Sequence, residues 1–351
     1  SSPSCSSACL CLYVVLGDIV VLLHGKHLRI IMASYSFERA THLIAEGDLD
    51  ASLTDLDHAK ELFLHAGVVV FNATLNVTFL EQCRCEFVKY FALVEQQLQD
   101  RKVDMDRPFH FNEICRRQHG RYDLRGLPGS SLGSETWSLN NAPWKDFIEL
   151  ILGHDAVELW RGVVLNQYGS HPQHWHRDGP HLFETEGHLA PHCVTIFVPM
   201  APTTVSMGFT SFYPGSHAAH RSHLYDLDYN PNHEYDGGPC SYLQTATPEI
   251  DFGGWLAFDY RVVHRGDANV DHELKRDRPM LYFVYAKPWF KDSNNFPEDA
   301  PLFSSTEADG DANSWPLGLG IFNIFYLLRD GCGAGILKSS ADSFFKWRSL
   351  F

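Results

Sequence analysis

The chain has 351 residues, and its 43 acidic against 28 basic side chains give a formal net charge of −15. Hydrophobic residues make up 44% of the chain, which is enough for a core and excludes a chain that is disordered throughout. The acidic surplus argues against non-specific binding to nucleic acid or to anionic membranes, and no apolar run is long enough for a transmembrane helix. We therefore expect two domains at most, or one large domain with extensions.

The first 33 residues differ from the rest of the chain. An apolar run over residues 8–23 is interrupted by Asp18, and basic residues follow this run instead of preceding it. A secretory signal has the opposite order. We expect residues 1–33 to be an atypical extension, with the true start at Met32. We expect this extension to be neither a signal nor a membrane segment.

The nine cysteines are scattered along the chain and include no C-x-x-C pair. An odd, scattered set predicts reduced thiols and argues against both a disulfide framework and a structural zinc site. The cysteines therefore favour a cytoplasmic protein.

Residues 34–156 have mainly helical periodicity. A short β-branched run, Val68–Phe71, predicts one strand within this part. Arg116–Ser134 is rich in Arg, Gly and Ser and predicts a long loop, in which the polar cluster Arg121–Arg125 either reaches a site or forms a salt-bridged surface. The helical segments are a stretch from Ser36 with Ala40, Leu43 and Ile44 on one face, then Asp55–Leu64, Thr78–Leu98 and Phe147–Leu152.

Beyond Val157 the pattern changes to short strands bounded by Gly, Pro, Asn and Asp. This pattern is typical of an antiparallel sandwich or barrel. We predict one domain over residues 34–292 with its strand-rich core at 157–292, and a C-terminal extension at 293–351. The apolar run Leu317–Leu328 in that extension is too short to span a bilayer. The predicted strands are Gly162–Leu165, Val194–Val198, Phe209–Tyr213, Trp255–Phe258 and Met280–Tyr285.

The segment Gln173-His174-Trp175-His176-Arg177-Asp178-Gly179 carries the strongest chemical signal. Side chains at i and i+2 of an extended strand share a face, so His174, His176 and Asp178 would point together. His174-x-His176 could begin a cupin-type metal site, whereas His176-x-Asp178 begins a two-histidine, one-carboxylate triad. Because no Glu follows at the cupin spacing, the sequence favours His176 and Asp178.

A third ligand is expected from a distant strand. His264 ends the apolar stretch that starts at Phe258, just where a turn begins. Arg278 stands directly before the next strand, where its guanidinium could capture a carboxylate in the same cavity. These residues predict a metal centre with a neighbouring anion site.

Four motifs in this order resemble the phytanoyl-CoA dioxygenase family of Fe(II)- and 2-oxoglutarate-dependent oxygenases. They are His176-x-Asp178, Pro214-Gly215-Ser216-His217, His264-Arg265-Gly266-x-x-Asn269 and Arg278-Pro279. The resemblance covers roughly residues 37–296. It implies a mainly β fold with flanking helices, in which a double-stranded β-helix (a jelly roll or cupin-like barrel) forms the core.

The resemblance also implies a role for each matching residue. His176, Asp178 and His264 correspond to the iron ligands, and Arg278 to the arginine that binds the distal carboxylate of 2-oxoglutarate. The spacing between His264 and Arg278 is longer than usual for the family, which keeps Lys275 and Arg276 as alternatives to Arg278. Gln173 is expected to face the cosubstrate, and Asn166 and Asn269 are further candidates for cosubstrate binding.

The reaction implied is hydroxylation of a small molecule, with 2-oxoglutarate and O2 as cosubstrates, ascorbate as a reductant, and succinate and CO2 as products. Related halogenases have Gly or Ala at the position of Asp178, so the carboxylate favours hydroxylation. Two alternatives stay open: a cupin-type metal enzyme using His174 and His176, and a catalytically silent jelly-roll protein that binds a ligand. The sequence decides neither the substrate nor the oligomeric state.

Overall fold

In the computed structural model, the described chain is built around two β-sheets of very different size. The structure describes residues 49–127, 131–179, 181–183, 189–218, 245–292, 295 and 300–303, together with three strands near the N-terminus. Those three strands are β1 (Leu12–Leu16), β2 (Ile19–His24) and β3 (His27–Met32), and they form an antiparallel sheet of their own.

The large sheet has nine strands in the order β4-β5-β12-β10-β14-β9-β8-β7-β6. All neighbouring strands are antiparallel except β4 and β5. Its long central strands are almost fully buried, as expected for a sheet covered on both faces. The strands are β4 (Asp50–Ala51), β5 (Val68–Phe71), β6 (Phe109–His110), β7 (Ile114–Gln118), β8 (Arg121–Arg125), β9 (Val157–Asn166), β10 (Cys193–Pro199), β12 (Trp255–Asp259) and β14 (Arg278–Ala286).

The small sheet consists of β11 (Thr210–Phe212) and β13 (His264–Gly266). Single bridges extend it on both sides, because Phe212 pairs with Ala246 and His264 pairs with His176. This short, largely irregular layer and the large sheet form the predicted double-stranded β-helix, so the predicted fold class is confirmed.

Three helices flank the large sheet: α1 (Leu56–Ala66), α2 (Val77–Asp100) and α3 (Lys145–Leu152). Asp55 and Asn76 cap α1 and α2 by accepting backbone N–H groups of the first turn. Gly67 ends α1 in the left-handed conformation with φ of 77°, which glycine adopts without a steric penalty. The helices pack on one face of the sheet, and the other face is left for a cavity.

Aromatic rings join the helices to the sheet. Phe71 and Trp255 stack with their centroids 4.0 Å apart, and Phe147 from α3 meets Phe71 edge-on at 5.3 Å. Trp144, at the start of α3, donates a hydrogen bond of 3.0 Å to the hydroxyl of Tyr285 on β14. The helical layer thus holds the central strand β14 from the face of the sheet opposite the cavity.

The prediction of a long loop over Arg116–Ser134 is wrong for the first part of this range. Residues 114–125 form the hairpin of β7 and β8, and β8 pairs with β9 in the large sheet. Alternation explains the error, since Tyr122 and Leu124 join the core while Arg121 and Asp123 face the cavity. The arginines are buried because backbone carbonyls bind them, so a composition rich in Arg and Gly did not indicate a loop.

Other predicted elements match the structure in kind. The predicted helices at 55–64, 78–98 and 147–152 and the predicted strands are present, with longer bounds for β9, β10 and β14. The helix predicted from Ser36 and the segments at 304–314 and 317–328 lie outside the described residues. Residues 34–156 are only partly helical, because strands β4 to β8 lie among the described residues of this range. The boundaries at 33 and 293 stay predictions.

Two smaller observations concern the cysteines and membranes. Cys83, Cys85 and Cys193 are free thiols. Among the described residues, no helix is both long enough and apolar enough to cross a membrane.

Candidate metal centre

His176, Asp178 and His264 meet where an irregular segment runs beside β13. Residues 173–179 form no regular strand, contrary to the extended strand expected from the sequence. Reciprocal backbone hydrogen bonds of 2.9 Å join His176 and His264, and Gly179 donates to the carbonyl of Tyr260 at 3.0 Å. His264 begins β13 after a turn, so the expectation that it ends the preceding strand is also wrong. The backbone pairing, not a shared strand face, brings the three side chains together.

The three side chains can contribute one ligand atom each to a single ion. Their candidate atoms lie within 4.8 Å of one another. The Nε2 atoms of His176 and His264 are 3.9 Å and 3.7 Å from Oδ1 of Asp178. Two imidazoles and a carboxylate form the facial ligand set that non-haem Fe(II) sites use. No other group of three or more such side chains with this spacing occurs in the described part of the chain.

Hydrogen bonds on the far ring nitrogens orient both imidazoles. Nδ1 of His176 lies 2.8 Å from the carbonyl of His174, and Nδ1 of His264 lies 3.1 Å from the carbonyl of Val262. A proton on each Nδ1 leaves Nε2 free to bind a metal, which is the usual outer-shell arrangement of metal-binding histidines. Burial lowers the pKa of His264 to about 4, so its imidazole is neutral near pH 7.

A buried ion pair supports the turn that precedes His264. Arg261 binds the carboxylate of Asp259 through two nitrogens at 2.8 and 2.7 Å, and it also donates to the carbonyl of Leu189. Although burial opposes ionisation, the hydrogen bonds and charge of Arg261 keep the pKa of Asp259 below its usual value. The turn is thereby locked to the end of β12.

The three side chains line a cavity of about 150 Å³ between the two sheets. Its wall also includes Arg121, Asp123, Gln173, Tyr282 and Arg278, and the buried hydroxyl of Thr195 has no hydrogen-bond partner among the described residues. A larger depression of about 430 Å³ at the start of α2 shares no residue with this cavity and has no titratable side chain in its wall. The kinds of side chain in the wall, and not the volume of the cavity, therefore identify the candidate site.

Arg278 is a buried cation without a carboxylate partner in the described structure. The residue is 3% exposed, its Nε has no hydrogen-bond partner among the described residues, and NH1 contacts only the sulfur of Met280 at 3.7 Å. The nearby Asp267 is already bound by Arg265 at 2.9 Å. Burial lowers the pKa of Arg278 to about 10, which leaves the guanidinium charged at neutral pH.

The two alternatives to Arg278 lie outside the cavity wall. Arg276 is ion-paired with Asp271 at 2.9 Å, and its side chain is 37% exposed. Lys275 is exposed and lies 5.8 Å from the ring centre of Tyr168. Geometry therefore favours Arg278 as the anion-binding residue.

Of the three amides proposed for cosubstrate binding, only Gln173 lines the cavity. Its Oε1 accepts a hydrogen bond of 2.8 Å from the backbone N–H of Gly266. Asn166 and Asn269 are fully buried outside the cavity wall, and their amides donate to backbone carbonyls of surrounding loops. The expectation that these two contact a cosubstrate is corrected, because their hydrogen-bonding groups already hold the backbone.

Arg121 is a cavity residue whose role the sequence left open. It lies on β8 opposite Asn166, which in turn lies opposite Arg278 on β14, so the two arginines stand in one row of the sheet. Its guanidinium donates to the carbonyls of His171 and Gly266 at 2.7 and 3.0 Å and to that of Asp267. Burial and the charge of Arg278 lower the pKa of Arg121 to about 9. Recognition of β8 as a strand would have revealed this second cation.

The remaining histidines near the motif lie apart from the cluster. His174 is exposed and outside the cavity wall, where it contributes its carbonyl to His176. His192 is buried against Phe290, and burial lowers its pKa to about 4. His217 contacts the carbonyl of Leu64 at 3.0 Å. The geometry does not favour the cupin-type pair of His174 and His176.

Two histidines and a carboxylate at the cavity of a double-stranded β-helix form the arrangement of side chains that non-haem iron oxygenases use. Residues 141–276 match the family model described as Phytanoyl-CoA dioxygenase (PhyH). The family predicted from the motifs is thus confirmed for the segment that contains His176, Asp178 and His264. Members of this family are 2-oxoglutarate-dependent oxygenases, with Fe(II) as cofactor and 2-oxoglutarate and O2 as cosubstrates.

Several solved structures match this chain at low sequence identity. AviO1 from Streptomyces viridochromogenes Tue57 is 17% identical over 68% of this chain and 98% of its own, with a TM-score of 0.44. SnoN, crystallised with Fe3+, alpha ketoglutarate and nogalamycin RO, is 18% identical over 72% of this chain and 97% of its own, with a TM-score of 0.43. HygX from Streptomyces hygroscopicus, crystallised with nickel, 2-oxoglutarate and hygromycin B, is 12% identical over 66% and 86%, with a TM-score of 0.43.

Proposed function

We propose that this protein is an Fe(II)- and 2-oxoglutarate-dependent dioxygenase that hydroxylates a small molecule. The balanced reaction is R–H + O2 + 2-oxoglutarate giving R–OH + succinate + CO2. One observation carries the proposal: a two-histidine, one-carboxylate cluster shares a cavity with a buried arginine that has no carboxylate partner among the described residues.

The donor set fits Fe(II). Three protein ligands leave room for further ligands on a six-coordinate ion, as the facial triad of non-haem oxygenases does. His264 needs no deprotonation at neutral pH, and both Nε2 atoms face the carboxylate of Asp178. When bound there, iron would supply the redox chemistry that activates O2.

Arg278 fits one end of 2-oxoglutarate. A buried cation is costly unless an anion or several acceptors pair with it, and the one hydrogen bond of this guanidinium within the described part of the chain is to the sulfur of Met280. A dicarboxylate would satisfy it through a bidentate hydrogen-bonded pair. Arg121 adds positive charge in the same row, while Gln173 keeps Gly266 and the segment before His176 together.

Asp178 favours hydroxylation over halogenation. Its carboxylate occupies the position that related halogenases leave to a small residue, where a halide could bind. The protein's share in the reaction is to hold the ligands, to exclude water from a cavity of about 150 Å³, and to place one C–H bond beside the metal.

The test is a screen of small molecules with the full chain, Fe(II), ascorbate and 2-oxoglutarate, in which succinate release and product mass are measured together. Hydroxylation predicts one equivalent of succinate per product molecule that has gained one oxygen atom derived from O2. Metal-independent conversion, or metal-dependent conversion without consumption of 2-oxoglutarate, would contradict the proposal. The second of these outcomes is what a cupin-type enzyme would give.

A further inference from the structure

The carbonyl of Asp178 is held by a residue far along the chain. Nδ2 of Asn295 donates to this carbonyl at 2.6 Å, across a separation of 117 residues. Asn295 lies beyond β14 and outside the segment 141–276 that matches the family model, yet it lines the same cavity as the metal cluster.

Asn295 is itself held by two other side chains. Its Nδ2 lies 3.0 Å from the hydroxyl of Tyr260 and 3.1 Å from Oδ2 of Asp292, and its backbone N–H donates to Oδ1 of Asp292 at 3.1 Å. The hydroxyl of Tyr260 donates to the carboxylate of Asp292. We call Tyr260, Asp292 and Asn295 the clasp. Its members orient one another, so the amide that reaches Asp178 has a fixed direction.

Tyr260, one member of the clasp, also contacts the loop that contains Asp178 and Gly179. Tyr260 is 2% exposed, its carbonyl accepts the N–H of Gly179, and its own N–H donates to Cys193 on β10. A Cβ on Gly179 would lie 2.6 Å from Cδ1 of Tyr260, so the loop rests directly on this ring. The backbone of Asp178 and Gly179 is therefore tied to the large sheet through Tyr260 and to the following segment through Asn295.

These contacts matter because residues 173–179 form no regular strand. The backbone N–H groups of Gln173, His176 and Gly179 donate to other segments, and the Asn295 amide holds the carbonyl of Asp178 between the last two. Asp178, whose side chain is 24% exposed, is the ligand with the least regular backbone around it.

We propose that Asn295 is a positioning residue of the metal centre, which sets the backbone of Asp178 and thereby the direction of its carboxylate. Asn295, which follows the last barrel strand in the chain, is then part of the active site. This inference rests on the proposed function, because it assigns Asp178 to the metal. Outer-shell partners of metal ligands typically change affinity by about 10- to 100-fold, so Asn295→Ala is expected to raise the dissociation constant for a divalent metal about 10-fold.

The test uses the full chain freed of metal and titrated with Co(II), whose visible absorption reports the ligand geometry. The variants are Asn295→Ala, Tyr260→Phe, and Asn141→Ala as the matched control. Asn141 also donates its amide to a backbone carbonyl, that of Glu135 at 3.0 Å, but on an exposed loop outside the cavity wall. We expect Asn295→Ala to weaken Co(II) binding about 10-fold and to alter the shape of the absorption band at saturation, and Asn141→Ala to change neither.

The outcomes separate this inference from the proposed function. If the unchanged chain binds Co(II) no better than His264→Ala does, the proposed metal centre is wrong. If it binds Co(II) tightly and folded Asn295→Ala has the same affinity and band, only the positioning role is overturned. If Asn295→Ala does not fold, Tyr260→Phe decides: this variant keeps the ring under Gly179 and removes the hydroxyl that orients the clasp, so unchanged affinity and band would overturn the inference and weakened binding with an altered band would support it.

Discussion

The metal cluster and the arginine row occupy the same cavity but are built in different ways. His176 and Asp178 lie on irregular backbone, and His264 opens a strand of three residues. Arg121 and Arg278 stand opposite Asn166 in the nine-stranded sheet, where neighbouring strands fix each position. Metal ligands on loops can adjust to an ion, whereas an anion site on a sheet has its position set in advance. A few isolated backbone and side-chain hydrogen bonds hold the first site, whereas a continuous ladder of strand pairs holds the second.

The largest effect should follow from removal of a metal ligand. His176→Ala is expected to lower Fe(II)-dependent succinate release by more than about 100-fold, since even outer-shell changes cost about 10- to 100-fold in affinity. His174→Ala is the control, because the side chain of His174 lies outside the cavity wall and alanine keeps the carbonyl that contacts His176. If His174→Ala were the inactive variant and His176→Ala the active one, the cupin-type alternative would replace the proposed triad.

The next effect tests the arginine row. Arg278→Gln is expected to raise the KM for 2-oxoglutarate about 100-fold, because two charge-assisted hydrogen bonds contribute roughly 3 kcal/mol or more. Arg276→Gln should leave that KM within about twofold, because this side chain is paired with Asp271 outside the cavity wall. Initial rates at varied 2-oxoglutarate measure both variants. A reversed result would assign the anion site to Arg276.

Arg121 is expected to act on stability as well as on binding. Arg121→Met would remove the donor that the carbonyls of residues 171, 266 and 267 share, and we expect the free energy of unfolding to fall by about 2–4 kcal/mol. Arg107→Met is the control, because the Arg107 side chain is 82% exposed and its change should stay within about 0.5 kcal/mol. Denaturant unfolding of both variants measures the difference. Equal stabilities would show that β13 does not depend on Arg121.

The smallest effect concerns the wall next to the arginine row. Gly162 lies under Tyr282, whose hydroxyl would be 2.6 Å from an added Cβ and donates to Asp123 at 2.8 Å. The carbonyl of Leu124 would also be in collision with that Cβ. Gly162→Ala is expected to lower the free energy of unfolding by about 1–3 kcal/mol, the usual cost of overpacking. An unchanged free energy of unfolding would mean that Tyr282 shifts at little energetic cost and that this wall of the cavity is deformable.

The same contrast explains what the sequence could predict. The fold class and the meeting of His176, Asp178 and His264 followed from ordered motifs, since each motif needs only its own spacing. The local backbone did not follow, because the pairing of His176 with His264 joins residues 88 positions apart and leaves no periodic signal.

The sequence left the role of Arg121 open and gave no sign of Asn295, for a related reason. Composition suggested a loop around Arg121, although carbonyls from two distant segments bind its guanidinium. Asn295 stands in no motif, and only its contact with the carbonyl of Asp178 reveals it. Polar residues whose hydrogen bonds hold the backbone of other segments leave no recognisable pattern in the sequence.

The most direct test of the central claim is an anaerobic titration of the Fe(II)-loaded full chain with 2-oxoglutarate, followed by visible absorption. The account predicts a new absorption band that requires both Fe(II) and 2-oxoglutarate and saturates at one equivalent of each. It also predicts that a folded His176→Ala variant gives no such band. Absence of the band in the unchanged chain, or an equal band in His176→Ala, would contradict the proposed metal centre.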